Sequence, residues 1–138
     1  MNVEIKPLCQ YDVLDGFLEK LEKDNEFFHP DLTLDLYYGL WFNKQLVAIG
    51  FIRGWEGDWP EKVLGVAVLS EFRRFGFGTL LYYKLEIEAN KRAVDKLRVH
   101  VHPDNKPSLS LFGRLGFVFT GEKRENNELI GRKNLHPR

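Results

Sequence analysis

The stretch that decides the fold is residues 64–89, LGVAVLSEFRRFGFGTLLYYKLEIEA. It predicts four consecutive elements: an apolar strand at 64–69, a polar turn at 70–74, a loop spaced by Gly76 and Gly78, and a helix at 79–89. A strand that enters a helix through glycines leaves backbone N–H groups unpaired at the helix start, where the helix dipole also favours an anion. Arg73 and Arg74 add donors that suit phosphate. The stretch therefore predicts a site for a phosphorylated ligand.

The glycine spacing excludes two common phosphate loops. A dinucleotide fingerprint needs a third glycine where this chain has Leu81, and a Walker A loop needs a Gly-Lys-Ser/Thr ending that is absent. What remains is Arg73-x-x-Gly76-x-Gly78, directly after a short apolar strand. The alternative is a surface turn that uses glycine for tight geometry and arginine for solubility.

Size and composition restrict the class of protein. The 138 residues predict one domain, residues 1–138, and 43% hydrophobic content indicates a packed core. Because 20 basic residues balance 20 acidic ones, no overall field attracts nucleic acid. The longest apolar run, 46–52, is too short to span a membrane, and no signal-peptide pattern is present. A single cysteine, Cys9, is compatible with a cytoplasmic location.

The rest of the chain alternates strands and helices. Before the loop, we predict a strand at 2–7, a helix at 11–23, hairpin strands at 34–41 and 45–55 and a strand at 62–69. After it, we predict a strand at 96–102, a short helix between Asn105 as N-cap and Gly116, and a closing hairpin of strands at 117–123 and 129–134.

Two separated motifs carry a family resemblance. The second is Asn105-x-x-Ser108-x-x-Leu111-Phe112-x-x-x-Gly116-Phe117. With the glycine loop and the order of elements, it resembles the GNAT superfamily of acyl-CoA N-acyltransferases over nearly the whole chain. The resemblance implies a single α/β (α+β) domain with a mixed, mostly antiparallel twisted sheet. It also implies six to seven strands, about four flanking helices and a splay between the fourth and fifth strands.

The resemblance implies acetyl-CoA as cofactor and assigns its contacts. Backbone groups of Val66 and Val68 would face the pantetheine arm. The pyrophosphate would be held by backbone N–H groups of the loop residues Arg73, Arg74, Phe75, Gly76, Phe77, Gly78 and Thr79. Asn105 and Ser108 would contact the cofactor, and Leu111 and Phe112 would lie near the thioester. The acceptor, a small-molecule or peptide amine, would enter the splay from the opposite side.

One position departs from the family pattern. Many members carry a tyrosine that protonates the leaving thiolate, where this chain has Phe112. A phenyl ring donates no proton, but a thiol with a pKa of about 8.5 is already a tolerable leaving group. General-acid help is typically worth about 10²–10⁴-fold, so its loss slows catalysis without forbidding it.

The candidate bases are His100 and Glu61. His100 occupies a strand position where some family members carry a glutamate, and an unperturbed histidine pKa of about 6.5 suits proton removal. The alternatives are a half-buried histidine bonded to a neighbour and, for Glu61, a solvated turn carboxylate. The expected mechanism is direct attack by an amine that His100, or Glu61 through a water, deprotonates. The backbone N–H of Val68 would hold the oxyanion.

Acceptor recognition is expected in two variable segments. Phe28 and His29 adjoin a proline, and this segment is either a wall of the acceptor site or the hydrophobic edge of a second short helix. Arg53, Trp55 and Glu56 begin a run rich in tryptophan and carboxylates. This run could hold a cationic or sugar-like amine, or it could be a hairpin turn whose tryptophans cover the core edge. His100-x-His102 has no third ligand at a recognisable spacing, so we expect no metal site.

Two functions compete at this stage. The first is an active N-acetyltransferase; the second is a GNAT-fold acyl-CoA sensor or partner subunit that has lost efficient chemistry, which Phe112 favours. No nucleic-acid or membrane partner is expected, and a homodimer is possible. The predicted loop helix carries a second apolar stripe of Leu80, Tyr83 and Ile87, which either packs inside the monomer or forms a dimer contact.

Overall fold

The computed structural model describes residues 2–21, 32–33, 35–55 and 61–136. The elements follow the predicted order: β1 (Val3–Pro7), α1 (Tyr11–Lys20), β2 (Leu36–Phe42), β3 (Gln45–Arg53), β4 (Glu61–Val68), a 3-10 turn (Ser70–Phe72), α2 (Phe77–Lys91), β5 (Lys96–Val101), α3 (Lys106–Arg114), β6 (Val118–Lys123) and β7 (Leu129–Asn134). The described residues thus contain three α-helices, where the sequence predicted about four.

The strands form one mixed sheet of seven strands, in the order β1-β2-β3-β4-β5-β7-β6. Every neighbouring pair is antiparallel except β4 and β5, which run parallel. The β4–β5 pairing begins at Glu61 opposite Lys96 and ends at Val63 opposite Arg98. Beyond that point the two strands are no longer paired. The predicted sheet class and the splay between the fourth and fifth strands are therefore confirmed.

The sheet carries a hydrophobic core on each face. On one face, Leu14 and Phe17 of α1 pack against β2 and β3. On the other, Leu81 and Leu85 of α2 are fully buried with side chains of β4 and β5. A Cβ added to Gly50 of β3 would lie 2.7 Å from Leu85, so α2 approaches the sheet as closely as a glycine allows. These contacts hold α2 against the centre of the sheet.

Local backbone chemistry confirms the predicted turns. Asn43 and Lys44, between β2 and β3, have φ of 49° and 71°, as expected for a two-residue hairpin turn. Gly116 follows α3 with φ of 100°, the conformation that ends helices most often. The predicted N-cap is also correct, because Asn105 Oδ1 accepts the backbone N–H of Ser108 at 3.3 Å.

Two helix boundaries differ from prediction. α1 ends at Lys20 because Leu21 is extended (ψ 140°), three residues earlier than expected. α2 begins at Phe77, so Gly78 lies inside the first turn of the helix and only Gly76 belongs to the loop. The difference arises because Gly76 adopts φ of 76°, which makes the whole change of direction in one residue. No described helix is long and apolar enough to cross a membrane.

The outer face of α2 is apolar and exposed. Leu80, Tyr83 and Ile87 are each about half exposed to solvent. The interpretation that this stripe packs inside the monomer is therefore wrong. The dimer contact stays a prediction.

Candidate active site

Two cavities meet at the splay between β4 and β5. The first, of about 530 Å³, is lined by Leu21, Val66, Ala67, Val68, Arg73, Gly76, Gly78, Thr79, Asn105, Pro107, Ser108, Leu111, Phe112 and Arg114. The second, of about 690 Å³, is lined by Phe51, Arg53, Val63, Leu64, Gly65, Val66, Val99, His100, Val101, His102, Asn105, Ser108, Phe112, Arg124 and Glu128. The residues common to both linings, which we call the waist, are Val66, Asn105, Ser108 and Phe112.

The first cavity contains the start of α2. The first backbone bond of this helix runs from the N–H of Leu80 to the carbonyl of Gly76, at 3.1 Å. The N–H groups of Phe77, Gly78 and Thr79 therefore have no acceptor within the helix. With the positive end of the helix dipole, they form the type of donor set that binds an anion.

Close packing holds this helix start against β4. A Cβ added to Gly78 would lie 3.6 Å from Val66 and 3.7 Å from Val68. The start of α3 lines the same cavity through Pro107 and Ser108. Two helix N-termini therefore converge on one space, and both favour negative charge there.

The strand register directs backbone groups of β4 toward the splay. Leu69 donates its N–H to the carbonyl of Val47 at 2.9 Å, which marks that pair as hydrogen-bonded. Hydrogen-bonded and non-bonded pairs alternate along an antiparallel ladder. Val66 and Val68, at the non-bonded positions, therefore turn their N–H and C=O groups away from β3 and toward β5. Because β5 has already separated, these groups face the opening.

Arg73 fixes the loop to the end of β4. Its Nε donates to the carbonyl of Val68 at 3.0 Å, and Arg73 lines the first cavity. The next two positions behave differently. Arg74 is exposed and lies outside the cavity lining, and Phe75 stacks on Phe77 with ring centroids 5.3 Å apart. Of the predicted loop contacts, those of Arg74, Phe75 and Phe77 therefore fall on residues whose side chains are outside the cavity lining.

Phe112 separates the two cavities. Its ring is 6% exposed and meets the ring of Phe117 edge-on at a centroid distance of 5.4 Å. The neighbouring Leu111 lines only the first cavity. Phe112 thus lies at the waist, where a tyrosine would bring a hydroxyl group and this chain brings none.

His100 lines the second cavity, but its Nε2 is engaged. Arg98 donates its Nε–H to His100 Nε2 at 3.1 Å. Burial, reinforced by the positive charges of Arg124 and Arg98, lowers the pKa of His100 to about 4. At neutral pH the imidazole is uncharged and a weak proton acceptor. These contacts argue against His100 as the general base.

Glu61 lies at the closed end of the splay, outside the lining of both cavities. Its carboxylate pairs with Arg98 at 3.4 Å and with Arg132 at 2.5 Å. Both oxygens are therefore held by guanidinium groups. The geometry favours a structural ion pair over the catalytic role predicted for this residue.

Of the five predicted acceptor residues, one lines the second cavity, one packs against the core and three lie outside the described residues. Arg53 lines the second cavity. Trp55 donates its indole N–H to the carbonyl of Ile52 at 3.0 Å and packs against the core, outside both linings. Phe28, His29 and Glu56 lie outside the described residues.

Sequence reasoning missed the contribution of the β6–β7 turn. Arg124 and Glu128 line the second cavity and pair with each other at 2.7 Å. They arrive there because β7 pairs with β5, with Leu129 opposite Val101. Charge alternation around the turn was visible in the sequence, but nothing in it gave this strand order. Within the ranges that the structure covers, no group of three His, Cys, Asp or Glu side chains could hold a metal ion.

Comparison with known proteins assigns the chain to a family. The sequence matches the profile of the acetyltransferase (GNAT) family over residues 7–117, so the chain belongs to that family. None of the curated proteins compared with the chain matches it.

Solved structures share the fold from end to end. The ribosomal-protein-S18-alanine N-acetyltransferase from Escherichia coli is similar at a TM-score of 0.74 and 19% identity, covering 99% of this chain and 96% of its own. The PaiA N-acetyltransferase from Thermoplasma acidophilum, in complex with coenzyme A, has a TM-score of 0.74 and 16% identity, and the match covers 97% of this chain and 99% of its own. A GNAT family acetyltransferase from Elizabethkingia anophelis with acetyl-CoA bound has a TM-score of 0.73 and 18% identity, and the match covers 96% of this chain and 98% of its own. At these identities the likeness establishes the fold.

Proposed function

We propose that the protein is an N-acetyltransferase that transfers the acetyl group of acetyl-CoA to an amine of a small molecule or peptide. The observation that carries the proposal is the meeting of two cavities at one waist. The first cavity offers helix N-termini, an arginine and an open strand edge, which suit a phosphorylated, amide-containing ligand. The second cavity reaches the same waist from the other side of the splay.

The residues present fit coenzyme A. The N–H groups of Phe77, Gly78 and Thr79, with Arg73, would hold the pyrophosphate. The outward backbone groups of Val66 and the N–H of Val68 would bind the pantetheine amides and the acyl oxygen. When bound, acetyl-CoA supplies an acyl group already activated as a thioester.

The waist would govern departure of the thiolate. Phe112 excludes water there but donates no proton. The sulfur would leave as an anion, which its ordinary pKa of about 8.5 permits near neutral pH. Asn105 and Ser108 are the polar side chains of the waist and are the groups we propose beside the thioester.

The engaged state of His100 and Glu61 restricts the acceptor amine. Because the two predicted bases are both engaged by arginines, we propose that the amine attacks as its free-base fraction. An α-amine with a pKa of about 7.8 costs about 1.1 kcal/mol to deprotonate at pH 7, against about 4.6 kcal/mol for a lysine-type amine. We therefore expect kcat/KM to rise with pH until the pH reaches the pKa of the acceptor amine.

The same contacts favour a second candidate, an acyl-CoA-binding sensor. Phe112 provides no acid, and both predicted bases are held by arginines. Such a protein would keep the first cavity and lack turnover.

Two measurements test the proposal and separate the candidates. Thermal shift with coenzyme A reports on the first cavity, and thiol release from acetyl-CoA with a panel of amines reports on transfer. Stabilisation with turnover supports the acetyltransferase, and stabilisation without turnover across the panel supports the sensor. Absence of any stabilisation by coenzyme A contradicts both.

A further inference from the structure

The second cavity is lined by more positive than negative side chains. Its titratable lining residues, within the described part of the chain, are Arg53, His100, His102, Arg124 and Glu128. Glu128 is the only carboxylate among them, and its Oε1 already accepts from Arg124 at 2.7 Å and from Asn126 at 2.8 Å. The polar character of this space is therefore set by the arginines and histidines.

Hydrogen bonds fix which nitrogen of each histidine carries the hydrogen. Arg98 is always a donor, so Nε2 of His100 is the acceptor in their 3.1 Å bond and neutral His100 is protonated on Nδ1. The backbone N–H of Asp104 donates to Nδ1 of His102 at 3.1 Å, so neutral His102 is protonated on Nε2. The nitrogen that each ring has left for a ligand is thus a donor.

The two guanidinium groups reach the cavity from different elements, and the contacts among the described residues leave donors available on each. Arg53, at the end of β3, uses Nε to contact Asp35 Oδ2 at 3.3 Å and is 44% exposed. Arg124, in the β6–β7 turn, uses Nη1 to contact Glu128 and is 43% exposed. An arginine has five N–H donors, so each can bind an oxyanion while its ion pair persists.

The surroundings of His100 indicate a positive field in the same space. Besides burial, the charges of Arg124, Arg98 and Arg132 lower its pKa, and the charge of Glu128 raises it. Arg98 contacts His100 directly, and both Arg98 and Arg132 are paired with Glu61. A cation in this cavity would lose water and meet donors, whereas an anion would meet complementary charge.

We propose that the acceptor is an amine that carries an anionic oxygen group, a carboxylate or a phosphate, which Arg53 and Arg124 bind across the second cavity. His100 and His102 add N–H donors to the same group, and the amine points to the waist. This inference rests on the proposed acetyltransferase function and names the substrate class of that site. It excludes polyamines as preferred acceptors.

Matched pairs of amines test the inference. β-Alanine against β-alaninamide probes a carboxylate, phosphoethanolamine against ethanolamine probes a phosphate, and spermidine is the cationic comparison. Each is assayed for thiol release from acetyl-CoA, and each is also ranked by thermal stabilisation of the coenzyme A complex. We expect the anionic member of at least one pair to exceed its neutral partner by about tenfold or more, the value of one charge-assisted hydrogen bond.

Single substitutions locate the recognition. Arg124→Gln and Arg53→Gln should each lower kcat/KM, or binding, of the anionic amine by about 10–100-fold and change the neutral partner little. Lys123→Gln removes the same charge one residue away, outside both cavity linings, and should have no effect.

Two results overturn the inference without touching the proposed function: equal or better use of neutral or cationic amines, and an unchanged preference in both arginine variants. A protein that is stabilised by coenzyme A but by no member of any pair also overturns it. Failure of coenzyme A itself to stabilise the protein is the distinct sign that the proposed function is wrong.

Discussion

Arg98 donates its Nε–H to Nε2 of His100 across 3.1 Å, between two residues on the same face of β5. The bond joins a permanent cation to the nitrogen that a general base would use. Because protonation of His100 would place two positive charges in contact, the arrangement keeps the imidazole neutral. The contact thus defines the tautomer of His100, and burial together with the charges of Arg124 and Arg98 makes the imidazole a weak base.

This pairing predicts how stability depends on pH. The folded-state pKa of His100 is about 4, below the ordinary value of 6.5, so the unfolded chain binds more protons between these values. The contribution of neutral His100 to the free energy of unfolding is therefore fully present above about pH 6.5 and is lost as the pH falls toward 4. Over this pH window we expect the unfolding free energy of His100→Gln to fall by about 1–2 kcal/mol less than that of the parent, with allowance for solvent screening.

The measurement is the unfolding free energy at pH 7 and pH 4.5 for the parent, for His100→Gln and for His102→Gln as the control from the same strand edge. Equal pH dependence in the parent and in His100→Gln would contradict the prediction.

Gly76 offers a test of the anion site that leaves packing untouched. A side chain there meets no atom within 4 Å of its Cβ, and the backbone has φ of 76°. Asparagine tolerates this conformation better than most residues, whereas glutamate adds a negative charge at the helix start. We expect Gly76→Glu to weaken coenzyme A binding by about tenfold or more, because its carboxylate would face the ligand's phosphates. Gly76→Asn should stay within about threefold.

Calorimetric titration with coenzyme A compares the two Gly76 variants, and their melting temperatures report on the fold. Equal affinities in the two variants would show that the loop does not hold the pyrophosphate.

Phe112 offers a test of the leaving group. A hydroxyl introduced by Phe112→Tyr would lie at the waist of the two cavities and supply a proton donor. If thiolate departure limits turnover, we expect acetyl transfer to rise by about 10²-fold. Phe112→Leu keeps an apolar group without a donor and should give no gain. An unchanged rate in the tyrosine variant would show that another step is limiting.

Gly65 and Phe51 predict a strong effect on stability. A Cβ at Gly65 would lie 2.2 Å from Cζ of Phe51, far inside van der Waals contact. Because overpacking of this kind typically costs about 1–3 kcal/mol, Gly65→Ala should lower the unfolding free energy by that amount. Adding Phe51→Leu should recover part of the loss, which a double-mutant cycle by urea denaturation would measure. Additive losses would mean that the clash is relieved elsewhere.

Local signals in the sequence predicted most of the fold. Alternating apolar residues defined β1, the Asn43-Lys44 turn defined the first hairpin, and Asn105 with Gly116 bounded α3. Each of these depends on residues within a few positions of one another. The same holds for the loop before α2, apart from the exact residue at which the helix begins.

The second cavity could not be predicted in this way. Arg124 reaches it only because β7 returns beside β5, a pairing that joins Val101 to Leu129. The environment of His100 likewise depends on the neighbouring Arg98 and on charges brought by β7. Long-range register decides which side chains share a cavity, and side-chain periodicity does not encode it.

The short parallel pairing of β4 and β5 makes the sheet two half-sheets joined along three residue pairs. Backbone amides on the separated part of β4, such as that of Val66, face the opening where an ordinary sheet would supply a strand. A ligand with its own amide groups would complete that missing strand. Hydrogen exchange at Val66 should therefore slow when such a ligand binds, while amides already paired to β3, such as that of Gly65, keep their rates.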